Sequence, residues 1–242
     1  MRTIEVPEAS GSPATALVPT GPRARVRRGA EPIARGLGRL GLTPNALTLI
    51  GFGIAVLAAG FAASQAWLYA GVLVIVGAVF DLFDGALARA TNQTSRLGAF
   101  LDSTFDRWGE GVVYVGIIIG AIGASFGGLA VAAGSAMAAA FMVSYTRAKS
   151  ESLGFAPGSG MASVGVAPRE VRIVILTAGL LLAGNGRINS VIPPGSTCID
   201  ICIEVGGFAL LGSLALITIL ATITTIQRIF HVYREAKKQE QQ

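Results

Sequence analysis

Residues 81–106 read DLFDGALARATNQTSRLGAFLDSTFD: four aspartates, Asp81, Asp84, Asp102 and Asp106, arranged about a short polar turn near Thr91–Ser95. On both sides the chain is as apolar as lipid. An uncharged run of 41 residues separates Arg39 from Asp81, and a second of 36 extends from Gly111 to Thr146. At roughly 20 residues per crossing, the first holds one membrane span and most of another, broken at residues 63–66, and the second divides into two at residues 125–128. A fifth apolar segment runs from about Val171 to Gly184 and a sixth from about Val205 to Gln227, separated by GNGRINS and PPG, which cannot cross lipid as helix. The expected fold is an all-α integral membrane protein with six transmembrane helices. A short interfacial amphipathic helix precedes them, over about Pro32 to Leu42, with Ile33, Leu37 and Leu40 on one face and Arg35 and Arg39 beside it.

Composition agrees with this reading. Of 242 residues, 52% are hydrophobic and only 14% charged, and the mean hydropathy is +0.63, outside the range of soluble globular chains. Two cysteines, Cys198 and Cys202, and a lone histidine, His231, exclude a disulfide scaffold and any metal site built from imidazoles, so a bound metal must use oxygen ligands. The net charge of +5 does not point to nucleic acid, because the basic residues gather at the ends of apolar spans. Membrane lipids and anionic substrates are the expected partners.

Three segments follow: a flexible basic N-terminal tail over 1–29, a membrane domain over 30–232 and a polar C-terminal tail over 233–242 that reads as a solvated helix end. Six spans place both termini on one side. The tail, the turn after span two, the turn after span four and the C-terminal end carry the basic residues, and Arg187 alone falls opposite, so the basic side is assigned to the cytoplasm and the protein to the cell membrane. Cys198 and Cys202 then lie on the far side, as unpaired packing or lipid-facing thiols, and His231 is an interfacial residue.

Each carboxylate set into such a sequence costs about 2.5 kcal/mol or more, and four together call for a compensating charge. Asp81 and Asp84 are three apart and Asp102 and Asp106 four apart, so each pair shares a helix face, and the antiparallel helices can aim both pairs at one point. An oxygen-only set of that density suits two hard divalent ions, Mg²⁺ or Mn²⁺. Two other readings use the same acids: ion pairing to Arg89, Arg96 and Arg107, and a cation or proton carrier. The carrier leaves Gly85 and Gly98 unexplained, and no inverted repeat of the acidic string occurs in spans four to six.

As one string, Asp81-x2-Asp84-Gly85-x2-Ala88-Arg89-x8-Gly98-x3-Asp102-x3-Asp106 resembles the signature of the CDP-alcohol phosphotransferases, with every fixed position filled. The resemblance implies six spans, an interfacial N-terminal helix, homodimers, and two divalent cations held by the four aspartates against the pyrophosphate of a CDP-linked lipid. It gives Asp106 the part of general base; the alternative is that Asp106 only orients the acceptor hydroxyl. It also places the cytidine end over Gly85, Ala88 and Gly98 with Arg89 nearby, and the segment TPNALT adds Asn45 and Thr48 as candidate nucleotide contacts, although Asn45 could equally cap a helix.

Acceptor choice belongs outside the shared string. Arg147 and Lys149 end span four while Arg169 and Arg172 begin span five, and such a group could converge on a phosphate dianion, or serve only to set topology. The stretches PIARGLGRLGLTP, SYTRAKSESLG and QRIFHVY are similar to the actinobacterial phosphatidylinositol phosphate synthase branch of the family. That likeness implies CDP-diacylglycerol as donor, inositol 1-phosphate as acceptor and an acceptor-phosphate site of Ser144, Arg147, Lys149, Arg169, Arg172 and Arg228. Arg147-Ala148-Lys149 and Pro168-Arg169-Glu170-Val171-Arg172 depart from that branch's usual pattern while keeping charge, so glycerol 3-phosphate, the acceptor of a phosphatidylglycerophosphate synthase, is the alternative.

Overall fold

The computed structural model describes residues 36, 38, 39, 41–91, 94–155, 164–184 and 198–241, with backbone alone for 198–205. The tail over 1–29, most of the expected interfacial helix and Arg187 lie outside them; Gly36, Gly38 and Arg39 are helical. Among the described residues there are six helices and no strand: α1 Pro44–Ala63, α2 Trp67–Ala90, α3 Arg96–Gly123, α4 Gly127–Ser152, α5 Arg169–Ala183 and α6 Cys198–Gln239. One helix ends at Ala90 and the next begins at Arg96, on either side of the expected 91–95 turn, of which residues 92 and 93 lie outside the described ones. The other helix breaks fall at 64–66 and 124–126, close to the expected 63–66 and 125–128. Gln65 and Ser125 take left-handed backbone there, with φ of 64° and 57°.

Helix starts follow local chemistry. Thr43, and not Asn45, caps α1: its hydroxyl accepts from the Ala46 N–H at 3.2 Å, with Pro44 in the first turn, where a missing N–H costs nothing. Ser95 caps α3 by accepting from the Gly98 N–H at 2.9 Å, which joins the polar turn directly to the helix bearing Asp102 and Asp106.

The main packing partners trace a ring in the order α1, α2, α5, α6, α4, α3 and back to α1. Its interior mixes small and large residues: Ala58, Ala62, Ala70, Ala121, Ala133, Ala136 and Ala140 are buried beside Trp67, Tyr114, Ile117, Leu129, Leu180, Leu210 and Leu214. Many other large apolar side chains point outward, with Leu57 58%, Ile122 64% and Val131 71% exposed. Alanines at the helix contacts and an apolar outer surface suit helices that meet in lipid, where close backbone approach replaces the hydrophobic drive. Gly116 and Gly120 make that approach between α3 and α1: a Cβ on either would lie 2.3 Å from a backbone oxygen, of Ala59 and of Ala62 respectively.

Four helices, α1, α2, α4 and α6 over Gly206–Gln239, are long and apolar enough to cross a bilayer, so the chain is a multi-pass membrane protein. The other two differ from the expectation for physical reasons. Over its first half α3 carries Arg96, Asp102, Asp106, Arg107 and Glu110, and α5 has 15 residues, about 22 Å at 1.5 Å per residue, short of a hydrocarbon core of about 30 Å. The sixth apolar segment is longer than the sequence suggested, since α6 continues without a break to Gln239 and absorbs the polar C-terminal stretch as exposed helix.

Candidate active site

The polar ends of α2, α3, α4, α5 and α6 enclose a cleft of about 670 Å³. All four aspartates line it, as do Arg107, Ser144, Arg147, Arg169, Arg172 and Arg228. A smaller cavity of about 180 Å³ adjoins it between α1, α2 and α3; Asn45, Thr48, Gly85, Ala88, Arg89 and Gly98 line this one, and the two share Asp84, Gly85, Arg89 and Asp102 in their walls. Apart from Lys149, the residues grouped from sequence thus fall into two touching compartments with Asp84 and Asp102 at the junction. Gly98 has a local reason to lack a side chain: a Cβ there would stand 3.0 Å from Ser95 Oγ and 3.3 Å from Asn45 Oδ1.

Each acid has its own surroundings. Asp84 is 5% exposed and accepts from the Thr48 hydroxyl at 3.0 Å, a contact that ties α1 to α2. The same hydroxyl lies 3.2 Å from the Pro44 carbonyl, so Thr48 stands between its own helix backbone and the acid. Arg169, the first residue of α5, reaches across the cleft with Nη2 2.8 Å from Asp81 Oδ2 and Nη1 2.9 Å from Asp106 Oδ2. On the other side of Asp106, Arg107 Nη1 lies 3.4 Å from the same oxygen, and its Nε donates to Ser144 Oγ at 3.1 Å, which draws α4 into the site.

The donor set fits a hard divalent cation by its chemistry: carboxylate oxygens from two helices, gathered in one cleft, with no competing nitrogen or sulfur ligand among the described lining residues. As placed, no three acidic groups among the described residues converge closely enough to hold an ion. The guanidinium of Arg169 stands between Asp81 and Asp106 and pairs with both. A guanidinium there and a cation on those two oxygens are mutually exclusive.

The basic group is brought together only in part. Arg147 lines the cleft and pairs with Glu151 at 2.9 Å. Lys149 does not line it and is exposed, because two residues further along α4 is a rotation of about 200°. Arg172 borders the cleft but is 1% exposed, its guanidinium forked onto Glu110 at 3.0 and 2.9 Å and donating to the Ala167 carbonyl at 3.1 Å. Arg228 is likewise buried, donating to the carbonyls of Val164 at 3.0 Å and of Val143.

Glu110 was not singled out from sequence, and Arg107 was named only as an ion-pairing partner of the acids, which it is for Asp106. The signal was available, for Glu110 follows Asp106 by four residues and Arg172 follows Arg169 by three, so the two pairs repeat one helix-to-helix contact a turn apart.

A helical membrane bundle that gathers four carboxylates and a ring of arginines at one end has the makings of a phosphoryl-transfer centre. The CDP-alcohol phosphatidyltransferase family model matches residues 41–232, and the chain belongs to that family. It is a CDP-alcohol phosphotransferase. It is 35% identical over 216 residues to the archaetidylinositol phosphate synthase of Pyrococcus horikoshii, covering 89% of this chain and 95% of that one. Over 206 residues it is 32% identical to the phosphatidylinositol phosphate synthase of Cutibacterium acnes, covering 84% and 92%. Its fold is similar to the crystal structure of phosphatidylinositol phosphate synthase PgsA1 from Mycobacterium tuberculosis with CDP-DAG bound, with a TM-score of 0.68, 28% identity and coverage of 85% of this chain and 94% of that one. The same enzyme in complex with manganese and citrate matches with a TM-score of 0.67 and 27% identity.

Proposed function

We propose that the chain transfers the phosphatidyl group of CDP-diacylglycerol to inositol 1-phosphate, releasing CMP and forming phosphatidylinositol phosphate. The observation that carries the reading is the junction of the two compartments: Asp84 and Asp102 stand between the smaller pocket, lined by Gly85, Ala88 and Gly98, and a cleft walled by arginines, with Asp81 and Asp106 on the cleft side. A CDP-lipid needs the first and a phosphorylated alcohol needs the second. The names of the relatives from P. horikoshii and C. acnes support an inositol phosphate product.

In this reading Asn45, Gly85, Ala88, Arg89 and Gly98 receive the nucleotide end, while Thr48 holds Asp84 in place. Asp81, Asp84, Asp102 and Asp106 are the residues that would hold two divalent cations, Mg²⁺ or Mn²⁺, which when bound neutralise charge on phosphoryl oxygens. The manganese complex of the M. tuberculosis enzyme supports a divalent cofactor. Ser144, Arg147 and Arg169 face the acceptor phosphate, and Arg107 is added to them. Arg172 and Arg228 support that wall from behind, and Lys149 is left out. The acceptor hydroxyl oxygen attacks the phosphorus of the phosphatidyl unit, Asp106 takes its proton, and the bond to CMP breaks with the electron pair leaving on CMP.

The remaining assignments rest on sequence. We assign an interfacial helix before six spans, a 1–29 tail, a membrane domain over 30–232, a polar end over 233–242, a homodimeric state, and both termini and the active site on the cytoplasmic side of the cell membrane.

The test is CMP release from CDP-diacylglycerol in liposomes, with the ether-linked CDP-lipid in parallel, offering inositol 1-phosphate or glycerol 3-phosphate with Mn²⁺ or Mg²⁺. Release dependent on inositol phosphate, abolished by chelation and by Asp102→Asn in folded protein, is the expected result. Release with glycerol 3-phosphate alone overturns the acceptor.

A further inference from the structure

We propose that Glu110, outside the eight-residue signature, is a positioning residue for the acceptor: through Arg172 it fixes the strap 164–168 and so aims Arg169 across the cleft. This rests on the reading of the cleft as the acceptor-phosphate site.

Four observations converge on the strap. Glu110 and Arg172 form a forked pair with side chains 3% and 1% exposed, joining α3 to α5 one turn below the Asp106–Arg169 contact. A third donor of the same guanidinium reaches the Ala167 carbonyl at 3.1 Å. From the other side, the Thr224 hydroxyl of α6 accepts from the Ala167 N–H at 3.0 Å, and Arg228 Nε donates to the Val164 carbonyl at 3.0 Å. Gly165 has φ +118°, and a Cβ there would lie 2.2 Å from Thr224 Cγ2, so the strap is pressed against α6 where no other residue fits.

The consequence falls on Arg169. It follows the strap directly, at the start of a helix that has no side-chain cap of its own. No N-cap side chain therefore sets the height of that first turn. The forked pair does, because a bidentate guanidinium–carboxylate contact fixes both distance and plane. Arg172 takes part as the strut and leaves phosphate contact to Arg169.

A merely structural pair would lower stability and leave substrate constants alone, so the decisive readout is the split between the two substrates. The wild type is first assayed with inositol 1-phosphate and glycerol 3-phosphate. If only glycerol 3-phosphate supports CMP release, the functional reading fails, and the strap is tested with that acceptor. Glu110→Gln is then compared with Glu110→Leu/Arg172→Met, which removes both buried charges together, and with Thr224→Val, which keeps shape and loosens the strap from the α6 side without touching a charge. We expect the acceptor KM to rise tenfold or more in the first two and severalfold in Thr224→Val, with the CDP-lipid KM within twofold of wild type. Glu110→Asp should recover part of the loss. Acceptor KM within twofold of wild type in Thr224→Val, or in either Glu110 variant that folds, would overturn the proposal; so would equal rises in both KM values.

Discussion

Arg169 at the head of α5 lies 2.9 Å from Asp106 of α3, and its second terminal nitrogen lies 2.8 Å from Asp81 of α2. One side chain thus joins three helices through two acids that would otherwise repel. Removing it should cost about 1.5–3 kcal/mol, the range for hydrogen bonds to charged groups. The loss should depend on metal: in chelator, Arg169→Ala should melt well below wild type, and with saturating Mn²⁺ the gap should narrow, because a cation on the acids does the work of the guanidinium. Thermal scans in nanodiscs under both conditions are the check, and an equal gap in both speaks against a shared position.

Thr48 is a second handle on the acids. Its hydroxyl donates to Asp84 at 3.0 Å in a buried setting, and Thr48→Val removes the donor while keeping the shape. Groups that orient metal-binding side chains typically change affinity by about 10–100-fold when lost. We expect the Mn²⁺ concentration for half-maximal CMP release to rise by about tenfold, with the acceptor KM unchanged. Unaltered metal dependence would make Thr48 a packing residue.

Arg147 and Lys149 should separate cleanly. Arg147 lines the cleft and Lys149 is exposed and outside it. Arg147→Ala should raise the acceptor KM by about tenfold, the equivalent of about 1.4 kcal/mol, while Lys149→Ala stays within about twofold. A stronger effect at Lys149 would require α4 to be rotated in the working enzyme.

Gly116 tests the bundle and not the site. A Cβ there would stand 2.3 Å from the Ala59 carbonyl oxygen and 2.7 Å from the Ala59 Cα, and backbone cannot step aside as a side chain can. Overpacking costs about 1–3 kcal/mol or more. Gly116→Val should cut the yield of monodisperse protein on size exclusion, whereas Gly134→Ala, a position with open space, should not.

Much of this protein was decided before any folding. The length of the apolar runs and the residues that interrupt them set the helices, because lipid leaves the backbone no partner but itself; the helix ends at Ala63, Ala90 and Gly123 lie close to where the sequence places them. The spacing of Asp81, Asp84, Asp102 and Asp106 also determined that two helices present acids to one place, since helical periodicity is local. Tertiary structure decided which cations meet those acids. Arg147, Lys149, Arg169 and Arg172 look alike along the chain, yet one lines the cleft, one is exposed, one bridges two acids and one is buried against Glu110. Those fates depend on helix rotation and on the strap pressed against Thr224, contacts between residues 57 or more positions apart, which no local pattern encodes.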